Sequence, residues 1–227
     1  MSPPQLPLSL VPPRRRSFDN FIVGPNATLV TTLRHGRNDG QWFCLLGPGG
    51  SGKTHLALAV AGRDDRRQQA TRYIPAGNSR AVRLLQHDNA SGRCFIVDDI
   101  DALARSAVDE LALFNALNAW RAQHAAVLLT ASSVAGFQLP DLVSRIGHCA
   151  RLNLQALNDA GIERLIGQLI EDFQIVAGRG LSDYLLRHGP RAAGEMTRLF
   201  ERMARRAMAE RRALSIPLAR ECLTEQQ

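Results

Sequence analysis

A glycine-rich loop in the first quarter of the chain reads Gly47-Pro48-Gly49-Gly50-Ser51-Gly52-Lys53-Thr54. It fits the pattern G-x-x-x-x-G-K-[ST], in which glycines let backbone N–H groups turn inward, the lysine reaches phosphate oxygens and the last hydroxyl offers a ligand to Mg²⁺. Lys53 is the only lysine of the chain, although lysine and arginine together number 28. A compact ammonium enters a ring of phosphate oxygens more easily than a planar guanidinium does. The loop therefore predicts a binding site for ATP or ADP with Mg²⁺.

The flanking sequence favours this interpretation over a glycine-rich turn without a ligand. Residues 41–46 form a short apolar run typical of a buried strand. Residues 55–61 have the composition of the apolar start of a helix, with Gly62 as its predicted end. A strand, a loop and a helix in this order place a bound anion at the positive end of the helix.

The composition is that of a globular protein with one medium domain or a domain plus a small satellite. The chain has 227 residues, a hydrophobic content of 45% and a formal net charge of +7. No apolar run approaches the ~18 residues that span a membrane, and the proline-rich N-terminus has its arginines after the apolar residues, the reverse of a secretory signal. We therefore expect a cytoplasmic protein without a membrane partner.

The four cysteines lie far apart and include no C-x-x-C pair. This spacing predicts small buried side chains rather than metal ligands or disulfides for Cys44, Cys94, Cys149 and Cys222.

Three regions are expected along the chain: a flexible leader (1–16), an α/β domain (17–155) and an all-helical lid (156–227). Strands are predicted at 41–46, 71–74, 94–97, 126–130 and 150–154, and helices of the α/β domain at 79–86 and 109–123. The second of these helices has an apolar stripe of Leu111, Phe114, Leu117 and Trp120. Strands that alternate with helices predict an α/β fold with a five-stranded parallel sheet.

The lid is expected to consist of four helices separated by glycine and proline. Asn158 is the predicted cap of the first, and the second covers 182–188. A long basic helix follows to about Arg212, and Ser215 with Pro217 opens the last.

Two acids, Asp98 and Asp99, follow the apolar run Cys94-Phe95-Ile96-Val97. At the end of a strand, Asp98 can hold Mg²⁺, together with Thr54, and Asp99 can polarise an attacking water if hydrolysis occurs. Two acids that merely open a loop are the alternative. A phosphate loop one helix-and-strand unit upstream favours the metal-binding interpretation.

These motifs together resemble those of the AAA+ ATPases, and two further segments narrow the resemblance to the replication initiator DnaA and its relatives. The segment Phe18-Asp19-Asn20-Phe21-Ile22-Val23-Gly24-Pro25-Asn26-Ala27 is similar to the stretch that lies against adenine in that family. The resemblance implies base contacts from Ile22, Val23 and Gly24. It continues through Leu139-Pro140-Asp141-Leu142-Val143-Ser144-Arg145 and Ile216-Pro217-Leu218 over essentially the full length.

Within that group, the chain resembles the Hda family, DnaA-related regulators that inactivate DnaA. The chain ends after the lid, where DnaA continues into a DNA-reading helix-turn-helix domain. The leader contains Gln5-Leu6-Pro7-Leu8-Ser9-Leu10, which resembles peptides that dock on the sliding clamp. In such a peptide the amide of Gln5 hydrogen-bonds at one end of a pocket while Leu6, Leu8 and Leu10 supply apolar contacts.

Arg145 aligns with the arginine finger of the family, a guanidinium that stabilises charge on the γ-phosphate held by a neighbouring protomer. Two positions depart from the family pattern. Ser132 stands where an Asp usually senses the phosphate, and a hydroxyl carries no charge. The lid's sensor arginine normally precedes Glu-Met, but here Gly194 does and Arg191 lies one helical turn earlier. Arg191 is the candidate to contact the nucleotide in its place, and the alternative is that this contact is absent. Whether the chain hydrolyses its own nucleotide stays open.

The resemblance implies a regulator of replication initiation that docks on the sliding clamp at the replisome and stimulates hydrolysis of DnaA-bound ATP in trans. The alternative is a DNA-dependent AAA+ loader of a helicase or transposase. Clusters at Arg14–Arg16 and between Arg187 and Arg212 can meet nucleic acid or an acidic partner, or simply be solvated. The sequence leaves open whether the chain forms a homodimer or a higher AAA+ oligomer.

Overall fold

The computed structural model describes residues 15–35, 40–66, 70–78, 80–87, 94–174 and 176–225. They form two compact units, an α/β unit (Arg16–Ala156) and a helical unit that contains Leu157–Gln227. Of the predicted leader, only the last two residues are described.

The α/β unit is built on a single parallel sheet. Its strands are β1 (Trp42–Leu46), β2 (Thr71–Pro75), β3 (Cys94–Asp98), β4 (Ala126–Ala131) and β5 (Ala150–Asn153). Their order across the sheet is β2-β3-β4-β1-β5, and all four pairings are parallel. The α/β class and the five-stranded parallel sheet are therefore confirmed. Because the carboxyl ends of parallel strands share one edge, the loops after β1, β3 and β4 lie along the same edge.

In the described part of this unit, one helix precedes β1, and four helices and a short 3₁₀ helix (Ile100–Leu103) lie between successive strands. The helices are α1 (Ala27–His35), α2 (Lys53–Arg66), α3 (Ala81–His87), α4 (Ala107–Ala122) and α5 (Pro140–Gly147). Alternate strand side chains enter two separate cores, as the period of two requires. One core, with Cys44 and Leu129, contains residues of α3, α4 and α5, and the other, with Leu45 and Leu128, contains residues of α1 and α2.

Two local predictions were wrong. Gly62 lies inside α2, which continues to Arg66 because tertiary contacts outweigh the low helix propensity of glycine. In that last turn the side chain of Arg63 is buried and donates to the carboxylate of Asp64 and the carbonyl of Leu33.

The predicted apolar stripe of α4 was wrong at one of its four positions. Leu117 and Trp120 are buried and Phe114 packs against the core, as predicted, but Leu111 is not part of the buried stripe. Leu111 is 50% exposed, whereas the buried positions include Glu110, Leu113, Leu117 and Trp120. A carboxylate, that of Glu110, occupies the first buried position, where counting apolar residues alone selected Leu111.

The helical unit contains the four predicted helices. They are α6 (Asp159–Phe173), α7 (Leu181–His188), α8 (Ala193–Ala209) and α9 (Ile216–Thr224). Asn158 caps α6, as predicted, by accepting a hydrogen bond from the Gly161 N–H at 3.0 Å. The basic helix α8 ends three residues before Arg212. Leu165, Leu185, Phe200 and Leu218 are among the buried side chains of this unit.

All four cysteines are buried and free, as predicted. Within the part of the chain that the structure describes, no helix is both long and apolar enough to cross a membrane.

Candidate nucleotide-binding site

The phosphate loop, residues 47–54, connects β1 to the N-terminus of α2. Gly50 and Gly52 have positive φ angles of 72° and 109°, which L side chains rarely adopt. A Cβ at position 52 would lie 2.9 Å from Cε2 of Phe21, whereas a Cβ at position 49 would meet nothing within 4 Å. Gly52 is therefore required by the protein itself, and Gly49 leaves open space beside the loop.

The ammonium of Lys53 lies inside this loop, and the residue as a whole is 5% exposed. Its Nζ donates to the carbonyls of Gly47 (3.0 Å) and Pro48 (3.2 Å) and to Ser132 Oγ (3.0 Å). All three partners are neutral, so they hold the ammonium in place without cancelling its charge. Ser51 Oγ is buried and has no hydrogen-bond partner among the described residues. A buried cation and a buried hydroxyl without a partner suit a phosphate group.

The acid pair lies at the end of β3. Asp98 is 3% exposed, and both of its carboxylate oxygens accept hydrogen bonds. The Tyr73 hydroxyl donates to one oxygen at 2.8 Å, and the Thr130 hydroxyl donates to the other at 2.6 Å. Asp99 is exposed and has a left-handed backbone (φ 56°, ψ 52°), and its N–H donates to Thr130 Oγ1 at 2.8 Å. Neighbouring strands therefore orient the Asp98 carboxylate and hold the backbone of Asp99.

At this edge of the sheet, the surroundings shift the pKa values of Asp99 and Tyr73. Desolvation and the charge of Asp98 raise the pKa of Asp99 above its usual range, while Lys53 acts in the opposite direction. A raised pKa suits a proton acceptor that works near neutral pH. Burial and the neighbouring Asp98 raise the pKa of Tyr73, which keeps its hydroxyl a hydrogen-bond donor.

The oxygen atoms suited to Mg²⁺ are the Thr54 hydroxyl, on the half-exposed first turn of α2, and the Asp98 carboxylate. Each oxygen of Asp98 accepts one hydrogen bond and retains a further lone pair. The donor set therefore fits a hard divalent cation. Bound Mg²⁺ would neutralise phosphate charge.

The segment before α1 lies against the phosphate loop. Phe18 is buried in the core, and His55 Nε2 lies 2.9 Å from the Ser17 carbonyl. Farther along, the Asn26 side chain donates to the Gln155 carbonyl (3.0 Å) and accepts from its N–H (2.8 Å). The predicted base contacts lie between these anchors and are half-exposed: Ile22, Val23 and Gly24.

A second part of the α/β unit holds the predicted finger. Arg145, in the last turn of α5, is half-buried, and its guanidinium donates to Asn118 Oδ1 of α4 at 2.6 Å. The buried carboxylate of Glu110 accepts from the N–H groups of Arg105 (2.9 Å), Gln138 (2.9 Å) and Leu139 (2.7 Å). The last two precede α5, so α4 fixes both the start of α5 and the side chain near its end.

Burial alone would raise the pKa of Glu110. The three backbone N–H donors outweigh that effect and hold its pKa below the usual range.

The remaining predicted site residues are Arg191 and the clamp contacts. Arg191 belongs to the helical unit, where it forms an exposed ion pair with Asp159 at 2.6 Å. The predicted clamp contacts Gln5, Leu6, Leu8 and Leu10 lie outside the described residues.

Sequence reasoning missed Tyr73, Thr130, Glu110 and Asn118. Glu110 left a signal, a carboxylate at the spacing of Leu113 and Leu117 in the buried stripe. Tyr73 and Thr130 lie on strands adjacent to β3, so only the strand order could have linked them to Asp98. Asn118 has no local signal, because its partner lies 27 positions along the chain.

Comparisons with known proteins establish the fold. No protein-family profile matches the chain. A Haemophilus influenzae protein described as uncharacterized is 28% identical over 236 residues, which cover 96% of this chain and 98% of that protein.

Among solved structures, domain III of the Thermotoga maritima replication initiation protein DnaA superposes with a TM-score of 0.74 at 14% identity, covering 93% of this chain and 97% of the domain. AMPPCP-bound DnaA from Aquifex aeolicus gives 0.66 at 19% identity, over 89% of this chain and 71% of that one. The T. maritima Holliday junction motor RuvB gives 0.64 at 17% identity, over 93% and 72%. The chain therefore has the AAA+ fold, which initiators and motors share.

Proposed function

We propose that this chain is a nucleotide-binding regulator of replication initiation that stimulates hydrolysis of DnaA-bound ATP in trans. Three features support nucleotide binding: the phosphate loop with its enclosed ammonium, the oriented acid pair and the neighbouring segment 22–24. The nucleotide would be ATP or ADP with Mg²⁺, and AMPPCP-bound DnaA has the same fold. Bound nucleotide can act as a structural ligand, and the proposal does not require cis hydrolysis.

The observation that carries the trans activity is Arg145 on a surface with exposed apolar side chains. Val143 on α5 is 43% exposed, and Val108 and Leu111 on α4 are 65% and 50% exposed. Val108, Leu111 and Asn118 lie along one stripe of α4, and Asn118 contacts Arg145; we call the surface that these four residues form the α4–α5 face. Exposed apolar side chains around a charged residue suit a protein partner, and a guanidinium on that surface can reach a phosphate held by the partner.

Clamp docking through Gln5, Leu6, Leu8 and Leu10 completes the proposal and comes from the sequence alone. It would bring the regulator to the replisome, where DnaA is to be inactivated after initiation.

The test of the trans activity is DnaA's ATPase rate with increasing amounts of this protein and of its Arg145→Ala variant. We expect the variant to retain binding of nucleotide and clamp and to lose the stimulation, by several orders of magnitude for a true finger. Equal stimulation by Arg145→Ala would remove the finger from the proposal.

Clamp docking has its own test, binding of the full chain to the sliding clamp against a Gln5→Ala/Leu8→Ala double variant. Micromolar or tighter binding that the double variant loses is the expected result. Binding that is equal for the two proteins, or absent from both, would contradict docking through this peptide.

The second candidate, a DNA-dependent loader, is favoured by exposed arginines of the helical unit: Arg187, Arg198, Arg205 and Arg211. Other arginines of the same cluster are engaged within the unit. Arg206 pairs with Glu210 at 2.9 Å, and Arg212 pairs with Glu221 at 2.8 Å. A loader should bind single-stranded DNA with strong salt dependence and keep its activity without residues 1–12, whereas a clamp-docked regulator should lose activity on that deletion.

A further inference from the structure

We propose that Asn118 is a positioning residue for Arg145, which it orients toward the partner's phosphate without neutralising its charge. The inference rests on the proposed trans function of Arg145. It assigns a role to a neutral side chain on α4 that no motif in the sequence marks.

The contact itself is short and specific. One terminal nitrogen of the Arg145 guanidinium donates to Asn118 Oδ1 at 2.6 Å, and both residues are half-buried. A guanidinium carries five N–H donors in one plane, so a bond at one terminal nitrogen fixes the plane and leaves donors for another acceptor. The hydrogen bond to Asn118 therefore orients the Arg145 side chain and leaves its other N–H groups for a phosphate.

The acceptor of Arg145 is an amide oxygen, whereas several other arginines of the described residues pair with carboxylates. The ion pairs include Arg63 with Asp64, Arg191 with Asp159, Arg206 with Glu210 and Arg212 with Glu221. Within the described ranges, Arg145 forms no ion pair and has an amide oxygen in that place. An amide oxygen is a hydrogen-bond acceptor without net charge, so the full positive charge of Arg145 stays available to an anionic partner.

The backbone that carries Arg145 is fixed by the same helix. Glu110, two turns before Asn118 on α4, accepts from the N–H groups of Gln138 and Leu139 immediately before α5. Leu142 and Ile146 bury the inner side of α5 in the core. With the backbone held, the orientation of Arg145 depends on its own rotamer, and that is what Asn118 restrains.

Two substitutions separate positioning from charge. Asn118→Ala removes the acceptor and leaves the guanidinium free to rotate. Asn118→Asp keeps the shape and adds a negative charge that pairs with Arg145. Gln123→Glu is the charge control, because it adds a negative charge at the exposed C-terminal end of α4, outside the α4–α5 face.

The experiment measures DnaA's ATPase rate against the concentration of each variant of the full-length protein. We expect Asn118→Ala to lower the maximal stimulated rate about tenfold, less than the roughly hundredfold that a 1 Å misplacement can cost, because Arg145 keeps its charge and its backbone position. The concentration for half-maximal stimulation should change less than twofold. Asn118→Asp should lower the maximal rate further, and Gln123→Glu should match the unsubstituted protein. Equal melting temperatures of the variants would rule out a loss of folding as the cause.

The outcomes distinguish the positioning role of Asn118 from the proposed trans activity of Arg145. If Arg145→Ala stimulates fully, the proposed trans function fails. If Arg145→Ala is inactive while both Asn118 variants retain the full maximal rate, only the positioning role is overturned. A shift in the half-maximal concentration with an unchanged maximal rate would also overturn it, because Asn118 would then contribute to docking.

Discussion

The phosphate loop and the α4–α5 face hold their functional side chains in different ways. In the loop, Lys53 is held largely by carbonyls only five and six residues before it. On the face, Arg145 and the start of α5 are held by α4 side chains 27 to 29 residues away. The loop is a local structure that a short motif can specify, whereas the face depends on two helices that meet only when the unit folds.

This difference predicts different responses to substitution. Most changes in the loop should affect ligand binding more than folding, since Lys53 is held largely by nearby carbonyls. Gly52, which lies against Phe21, is the exception. Changes beneath the α4–α5 face should affect folding first. The following substitutions test that division.

The largest expected effect is that of Glu110→Gln beneath the face. The carboxylate accepts from three backbone N–H groups, whereas an amide offers one acceptor oxygen and turns an NH₂ toward donors. We expect a loss of about 3 kcal/mol in the free energy of unfolding, measured by urea denaturation. Asp109→Asn, the same change at the neighbouring position, should stay within about 0.5 kcal/mol. Equal effects at the two positions would contradict the buried role of Glu110.

The pH dependence of that loss gives a second check. Because the folded-state pKa of Glu110 is lowered, its stabilisation is fully present above the unfolded pKa of about 4.3 and disappears as the pH falls through the folded-state pKa. The stability difference between the unsubstituted protein and Glu110→Gln should be constant around neutral pH and shrink below about pH 4. A difference that grows on acidification would exclude this account.

In the loop, Lys53→Arg should weaken binding of a fluorescent ADP analogue in Mg²⁺ on the order of a hundredfold, about 2.8 kcal/mol. A forked guanidinium does not fit the space that the ammonium occupies among the Gly47, Pro48 and Ser132 oxygens. The melting temperature without nucleotide should change little. Arg66→Lys, at the far end of α2, is the control. Binding within threefold of the unsubstituted protein would show that the ammonium is not needed.

Two glycines of the loop sharpen the division, because one serves the fold and the other the ligand. Gly52→Ala would place a Cβ 2.9 Å from Phe21 at a φ of 109°, so we expect a loss of about 2 kcal/mol in unfolding free energy. Gly49→Ala meets no neighbour, and its stability should change by less than about 0.5 kcal/mol while nucleotide affinity falls. Similar destabilisation by the two substitutions would contradict this separation.

The smallest expected effect is that of Tyr73→Phe, which removes one donor to Asp98. Leaving that buried carboxylate oxygen without its partner should cost about 1 kcal/mol in the free energy of unfolding without nucleotide. Tyr184→Phe, in the helical unit, is the matched control because the chain has only these two tyrosines. If Tyr73→Phe is as stable as the control, the hydrogen bond contributes nothing measurable.

The α/β class, the five parallel strands and the four helices of the helical unit could be predicted from the sequence because each depends on local periodicity and on glycine and proline breaks. The errors occurred where distant contacts override such patterns. Gly62 continues a helix that Arg63 anchors to Leu33, and Leu111 is exposed because Glu110 takes the buried position.

The candidate site divides in the same way. The phosphate loop and the acid pair are contiguous motifs, and the structure brings both to one edge of the sheet. Tyr73 and Thr130 reach Asp98 only through strand order, and Asn118 reaches Arg145 only through helix packing. Contacts of this kind leave no short sequence pattern.

The buried cysteines can report how often each unit of the protein unfolds. Burial raises the pKa of Cys44 to about 11 and of Cys149 to about 12, so both thiols are protonated and enclosed in the folded α/β unit. Cys222 is enclosed in the helical unit, and burial raises its pKa as well. Alkylation requires an exposed thiolate, so the labelling rate of each cysteine measures how often its own unit unfolds. Pulse labelling with mass spectrometry could then follow both units in one sample, with and without nucleotide, and without any substitution in the chain.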